Sequence, residues 1–300
     1  MALWRQAASK HTGGMAAYPF LQLDVFAPAR GRGNPLGVVF DATDLDAASM
    51  QAIAAWLNLS ETTFVLPPTQ AAADYRLRIF TPRQELPFAG HPSVGTAHAV
   101  LVRSLVAPRA RHLLQECIAG LLPLRIDGEG EQRRIHVRAP RGIERAADPS
   151  AALASLRGAR LGALRPALID NGPRWWCIEL ADEATVRTLV PDLDAMARAT
   201  TADGAVGVAV YARCTGQAYS LVVRAFGPAD GIPEDPVTGS ANAAIAAWMH
   251  ASTALPAPQF LSSQGREVGR DGIVEIAVDS DGNAWIGGQT QTVVEGVLNW

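Results

Sequence analysis

The feature that most limits what this chain can fold into is a pattern that occurs twice. Near residue 75 the chain reads Tyr75-Arg-Leu-Arg-Ile-Phe80-Thr-Pro82. After a Pro-containing loop comes His91-Pro92-Ser-Val-Gly95-Thr96-Ala97. The same order returns 144 residues later as Tyr219-Ser-Leu-Val-Val-Arg-Ala-Phe226-Gly-Pro228, followed by Asp235-Pro236-Val-Thr-Gly239-Ser240-Ala241. A strand-like run, a Pro loop, the string x-Pro-x-x-Gly-[Ser/Thr]-Ala and a helix-like stretch therefore recur. The offset is close to half of the 300 residues. Internal similarity of this kind decides architecture before any local propensity does. It predicts two duplicated domains facing each other, which agrees with a length prior of about 150 residues per domain.

Between the repeats, strand patterns dominate. Residues 21–26, 37–40, 62–66 and 75–80 read as strands, with a helix opened by Asp46 and running to Leu57. Ile53, Trp56 and Leu57 are expected on its buried face. A second round gives strands at 120–126, 134–138, 174–180, 206–212 and 219–226, and helices at 182–190 and from Pro236 to Met249. The tail is again strand-like. This is α+β, not alternating βαβ. The expected boundaries are a leader or tag at 1–15, an N-terminal half at 16–120 joined by a returning strand at 290–300, and a C-terminal half at 121–289.

Several function classes are excluded. A net charge of −3 and a pI near 6.1 leave no basic footprint for nucleic acid or an anionic membrane. No run of about 18 uncharged apolar residues suggests a membrane span. The sole lysine is Lys10, within the expected leader, so the folded body has neither a Schiff-base lysine nor a P-loop lysine. Gly31-Arg-Gly33-Asn-Pro-Leu-Gly37 lacks dinucleotide-fingerprint spacing, and no metal-ligand motif is present. Cys117, Cys177 and Cys214 are too few and too scattered for a disulfide framework, which points to a reducing cytoplasm.

The repeated helix starts carry the candidate chemistry. Proline is favoured at the first helical position, which makes His91 and Asp235 the expected N-caps. Asp is a good cap, whereas His is not. Gly95 and Gly239 cost about 1 kcal/mol each in a helix relative to Ala, so a close approach of backbone or ligand is expected at both. Helix starts also suit anionic groups. Glu61, in Asn58-Leu-Ser-Glu61-Thr, stands at the lip of an apolar strand. There a partly desolvated carboxylate is a candidate general acid and base. Trp175-Trp176 reads as core filling.

The stretches Asp24-Val-Phe, Gly33-Asn-Pro, Asn58-Leu-Ser-Glu61-Thr, Arg78-Ile-Phe-Thr-Pro and Glu85-Leu-Pro-Phe-Ala-Gly-His91-Pro resemble the PhzF family. So do Asp170-Asn-Gly-Pro, Glu234-Asp-Pro-Val-Thr-Gly-Ser240-Ala, Ser263-Gln-Gly, Gly269-Arg-Asp-Gly and Gly287-Gly, in family order over residues 18–298. The resemblance implies a diaminopimelate-epimerase-like fold of two pseudo-symmetric domains, each a β-sheet wrapped around a central α-helix, with the active site between them. Homodimers are common in the family. Glu61 matches its proton-shuttling acid, His91, Asp235 and Ser240 its polar support, and Gly90 and Gly239 the backbone near substrate.

The reaction implied is a cofactor-independent isomerisation of a small carboxylate-bearing substrate, as with trans-2,3-dihydro-3-hydroxyanthranilate, using no metal. Two other readings stand beside it. An epimerase or racemase on the same fold would need a thiol pair at the two helix starts, where this chain has Gly90-His91 and Asp235. A catalytically silent member would bind a metabolite without proton exchange.

Overall fold

The structure, a computed structural model, describes residues 16–300. The expected leader at 1–15, with Lys10, lies outside the described residues. The chain divides into two compact units. The first comprises 16–31, 35–137 and 288–300 among the described residues, and the second 32–34 and 138–287.

The first unit holds β1 (Ala17–Val25), most of β2 (Asn34–Val39), α1 (Ala47–Leu57), β3 (Glu61–Leu66), β4 (Tyr75–Phe80), β5 (Glu85–Leu86) and α2 (Gly90–Val102). It continues through β6 (His112–Cys117), β7 (Gly120–Asp127) and β8 (Arg134–Arg138), whose last residue begins the second unit. The second unit contains β9 (Ile143–Arg145), α3 (Ser150–Ala154), β10 (Ala167–Asp170), β11 (Arg174–Glu179), α4 (Glu183–Arg187), α5 (Leu193–Asp203) and β12 (Gly207–Arg213). Next come β13 (Leu221–Gly227), β14 (Ile232–Asp235), α6 (Gly239–Ala251), β15 (Gln259–Gln264) and β16 (Gly272–Val278). The last strand, β17 (Ala284–Asn299), starts in the second unit and ends in the first, where it pairs antiparallel with β1 from Ala17↔Asn299 to Val25↔Thr290. This is an α+β arrangement.

Pairing follows one scheme in both units. In the first, β2 and β3 are parallel, β4 is antiparallel to β3 and β5 and parallel to β6, and β6 is antiparallel to β7. In the second, β11 and β12 are parallel, β13 is antiparallel to β12 and β14 and parallel to β15, and β15 is antiparallel to β16. One long helix lies between the fourth and fifth strands of each series, α2 in one and α6 in the other. Their side chains are buried almost all round: all but two residues of α2 and three of α6. Both are rich in Ala, Gly, Ser and Thr, small enough to lie close against strands. α2 packs on β1, β3 and β4, and α6 on β10, β11 and β16.

A matching clamp also occurs twice. Arg78 on β4 makes two bonds to the carboxylate of Glu85 (2.7 and 2.6 Å) and lies 5.1 Å over Phe80. Arg224 on β13 does the same with Glu234 (2.9 and 2.7 Å) and Phe226 (5.0 Å). Bidentate geometry of this kind fixes a strand to its hairpin partner more firmly than a single contact does.

The helix starts differ from expectation. α2 begins at Gly90 after the cap Ala89, so His91 lies in the first turn and does not cap it. α6 begins at Gly239 after Thr238, and Asp235 ends β14, three residues upstream of that cap. The first three N–H groups of a helix lack intrahelical partners, so proline is tolerated anywhere in the first turn. Pro92 occupies the third helical position, and the first bond, Ser93 N–H to the Ala89 carbonyl, simply skips it.

α1 is capped by Asp46, which accepts from Ser49 N–H at 2.7 Å, and stopped by Asn58 in the left-handed region. Its buried stripe is Met50, Ile53 and Ala54 against Phe64 and Phe80. Trp56, expected inside, is 69% exposed and sits beside Trp300 instead. The stripe at i, i+3, i+4 already fills the strand-facing side, leaving Trp56 on the flank.

Candidate functional site

In the first unit the candidate pair is Glu61 and His91. Asn58 turns the chain out of α1, and Glu61 opens β3 opposite Leu36 of β2. Its side chain is mostly buried at this strand end, with Oε2 3.4 Å from His91 Nε2. His91 is buried to 3% exposure. Burial pushes its imidazole down to about 3, partly offset by a hydrogen bond to the Pro35 carbonyl. A carbonyl only accepts. Since Nε2 makes no hydrogen bond, the bond to Pro35 comes from Nδ1–H. His91 is thus neutral, in the Nδ1–H tautomer, and presents the Nε2 lone pair to Glu61. Beside this pair, Gly90 and His91 contribute the N–H groups of the first turn of α2.

The second unit gathers Asp235, Gly239 and Ser240 around the start of α6. Asp235 accepts from Thr238 Oγ1 on Oδ2 (2.5 Å) and from Asn34 Nδ2 on Oδ1 (2.8 Å). Its carboxyl is raised by burial and lowered by the bonds to Thr238 and Asn34, while neighbouring Glu234 raises it. Gly239 is the first helical residue and Ser240 the second. Trp175 donates its indole N–H to Ser240 Oγ at 3.1 Å, and Asn171 Nδ2 donates to the Ser240 carbonyl at 2.9 Å. With a lone pair of Ser240 taken by Trp175, the Ser240 hydroxyl keeps its hydrogen for another acceptor.

The structure therefore brings Glu61 and His91 together, and Asp235 and Ser240 onto one helix start. Gly95 shows a close approach, as expected, with strand side chains as the approaching groups. A Cβ there would lie 2.5 Å from Leu36 Cδ2 and 2.7 Å from Val25 Cγ2, so the missing side chain lets α2 lie against the strands and serves packing, not a ligand.

Residues given no role from sequence also take part: Pro35, Asn34, Thr238, Gln264, Asn171 and Trp175. Asn34, Pro35, Asn171, Thr238 and Gln264 stand inside the quoted motifs, which was the signal available. Trp175 is buried as expected, but its indole N–H is spent on Ser240.

The cysteines do not lie at the starts of α2 or α6. Cys177 is buried in β11 with its thiol pushed up by burial, and Cys214 is raised to about 12, first by burial and then by Glu183. Protonated thiols of this kind are poor bases. Among the described residues no three His, Cys, Asp or Glu side chains converge as a metal-binding group, and no helix is long and apolar enough to cross a membrane.

This fold is shared with solved structures. The Bacillus anthracis phenazine biosynthesis protein of the PhzF family superposes with a TM-score of 0.81 at 25% identity, covering 95% of this chain and all of that one. The model of the phenazine biosynthesis-like proteins matches residues 23–296, so the chain belongs to that family, and it is an isomerase. The trans-2,3-dihydro-3-hydroxyanthranilate isomerase of Pseudomonas aeruginosa is 35% identical over 84% of this chain and 87% of its own length. The Schizosaccharomyces pombe protein named antisense-enhancing sequence 1 is 37% identical over 94% of this chain and 99% of its own.

Proposed function

We propose that this enzyme moves a proton between carbons of a small carboxylate-bearing substrate, similar to trans-2,3-dihydro-3-hydroxyanthranilate, and that Glu61 carries the proton without a cofactor. The observation that carries this reading is the contact between Glu61 Oε2 and the neutral Nε2 of His91. A protonated imidazole would form an ion pair with Glu61 and weaken it as a base. A neutral one leaves the carboxylate its basicity. Once Glu61 has taken a proton from carbon, Nε2 is the acceptor beside the new O–H, and the proton then returns to a different carbon. Gly90 and Gly239 with their helix N–H groups, and the Ser240 hydroxyl, supply donors for the anionic group of the substrate. Asp235 accepts from its amine or hydroxyl.

The matched strand order and the paired Arg–Glu–Phe clamps support an ancestral duplication in which α2 and α6 are the central helices of equivalent halves. The assembly expected is a homodimer, acting on a small molecule and not on nucleic acid or membrane, in the cytoplasm.

The deciding experiment is solvent-deuterium incorporation followed by NMR, with dihydro-hydroxyanthranilate and related amino and hydroxy acids. Wild type is expected to label one of them and Glu61→Gln none. Turnover that persists in Glu61→Gln would remove Glu61 from the mechanism. Binding without exchange by wild type would favour the silent reading.

A further inference from the structure

We propose that Ser262, Asn242, Gln264 and Thr238 form a one-way hydrogen-bond relay that holds Asp235 as an acceptor-only carboxylate, with Gln264 the positioning residue at its centre. The proposal rests on the reading of Asp235 as a site residue.

The direction of each bond is fixed by a backbone group, which can only donate or only accept. Gln264 Oε1 accepts from Thr238 N–H at 3.0 Å, so this end of the amide is oxygen. It also accepts from Asn242 Nδ2 at 3.0 Å, whose other hydrogen goes to the Thr238 carbonyl at 2.9 Å. Asn242 Oδ1 in turn accepts from Ser262 Oγ at 2.5 Å. The opposite end of Gln264, Nε2, gives one hydrogen to the Asp235 carbonyl at 3.0 Å and the other to Thr238 Oγ1 at 2.9 Å. Thr238 Oγ1 is therefore already an acceptor, and its single hydrogen is left for Asp235 Oδ2. On the far side, Asn34 Nδ2 is oriented by the Val237 carbonyl at 2.9 Å and donates to Oδ1. Both oxygens of Asp235 face donors, so a proton on either would displace one.

Every member of the relay is buried, with Asn242, Ser262 and Gln264 at 1% exposure or less. Partners in such a network cannot exchange for water, and a satisfied network holds one arrangement. The charged group beside Asp235 is Glu234, itself clamped by Arg224. Burial and Glu234 favour the protonated acid, and the bonds from Thr238 and Asn34 oppose them. Gln264 does not touch the carboxylate. It acts by leaving the Thr238 hydroxyl only one direction in which to donate. Asp235 can then meet a ligand only through a hydrogen-bond donor.

The test follows the carboxyl carbon of Asp235 by NMR in protein carrying ¹³C-labelled aspartate, with Asp235→Asn to assign the signal. Thr238→Val should raise the titration midpoint by about one unit, and Thr238→Ser should restore it, because a lost donor disfavours the anion. Gln264→Met should raise the midpoint as well, although it removes no bond to either carboxylate oxygen. A wild-type midpoint in Gln264→Met would overturn the relay, and so would one in Thr238→Val. If Gln264→Met does not fold, the Thr238 pair decides alone. The titration needs no substrate, so it can fail while the isomerase reading stands, and the reverse also holds.

Discussion

A carboxylate takes a proton from carbon only if its charge is not already neutralised by a neighbour. His91 meets that condition by being buried: with its imidazole lowered to about 3 it stays neutral wherever the enzyme is folded and active. An exposed histidine would titrate near 6.5 and pair with Glu61 below that value. The expected pH–rate profile therefore has no limb near 6.5 arising from His91. A kcat/KM that falls tenfold per unit below 6.5, and loses that limb in His91→Asn, would show the imidazole to be charged and the argument wrong. For Glu61→Gln the expected loss in kcat is about 10²- to 10⁴-fold, the usual weight of one general acid–base group. Circular dichroism should be unchanged, since Gln keeps the shape of Glu at this strand end.

At the scale of elements, small residues decide how closely α2 can approach its strands. Gly95 faces Leu36 and Val25, both fully buried, and Val is stiff at χ1. Gly95→Ala is expected to destabilise the protein by about 1–3 kcal/mol through overpacking, despite the better helix propensity of Ala. Urea unfolding measures this, and a gain in stability would show that the strands yield. The same helix shows what was legible in sequence. The repeated Gly announced a close approach in both halves, but sequence spacing does not say whether the approaching atoms belong to a ligand or to a strand. The Pro of each repeat located the helix starts to within three residues. It misplaced the caps because proline fits any of the first three helical positions, as Pro92 does, and also the extended segment before a helix, where Pro236 stands. α5 went unread, although Asp192 caps it and Gly204 ends it, because its mean hydropathy is low and its buried residues are only Met196, Ala199 and Thr200. Glu61, His91, Asp235 and Ser240 were legible through the repeat and the motifs. Asn34, Thr238 and Gln264 stand in the same motifs, but their roles were not legible, since these depend on contacts as far apart in sequence as Asn34 and Asp235.

For the whole molecule, burial of histidines sets the response to acid. His91 is lowered to about 3 and His98 to about 4, the latter by desolvation first and Arg133 second. Both are buried, so little solvent screening applies. In the unfolded chain each takes up a proton near 6.5. Between about 6.5 and 4 the unfolded state therefore binds more protons than the folded state, and stability rises with pH across that window. Stability is fully present above 6.5 and is lost as pH falls. Each histidine contributes a slope of about 1.4 kcal/mol per pH unit at most, so the pair gives about 2.7. Asp235 works in the opposite sense. Its folded value is raised, chiefly by burial, so it favours folding as pH falls and opposes the slope set by the histidines. His98 is the better probe of the two, because it lies outside the candidate site and bonds Thr292 Oγ1 (3.1 Å) through Nε2. His98→Gln is expected to cut the slope between pH 6 and pH 5 by about one proton's worth, whatever it does to stability at pH 7. Urea midpoints at several pH values, with the m-value held constant, read this directly. An unchanged slope in His98→Gln would mean that His98 is protonated in the folded protein, and that Arg133 and burial do not keep it neutral.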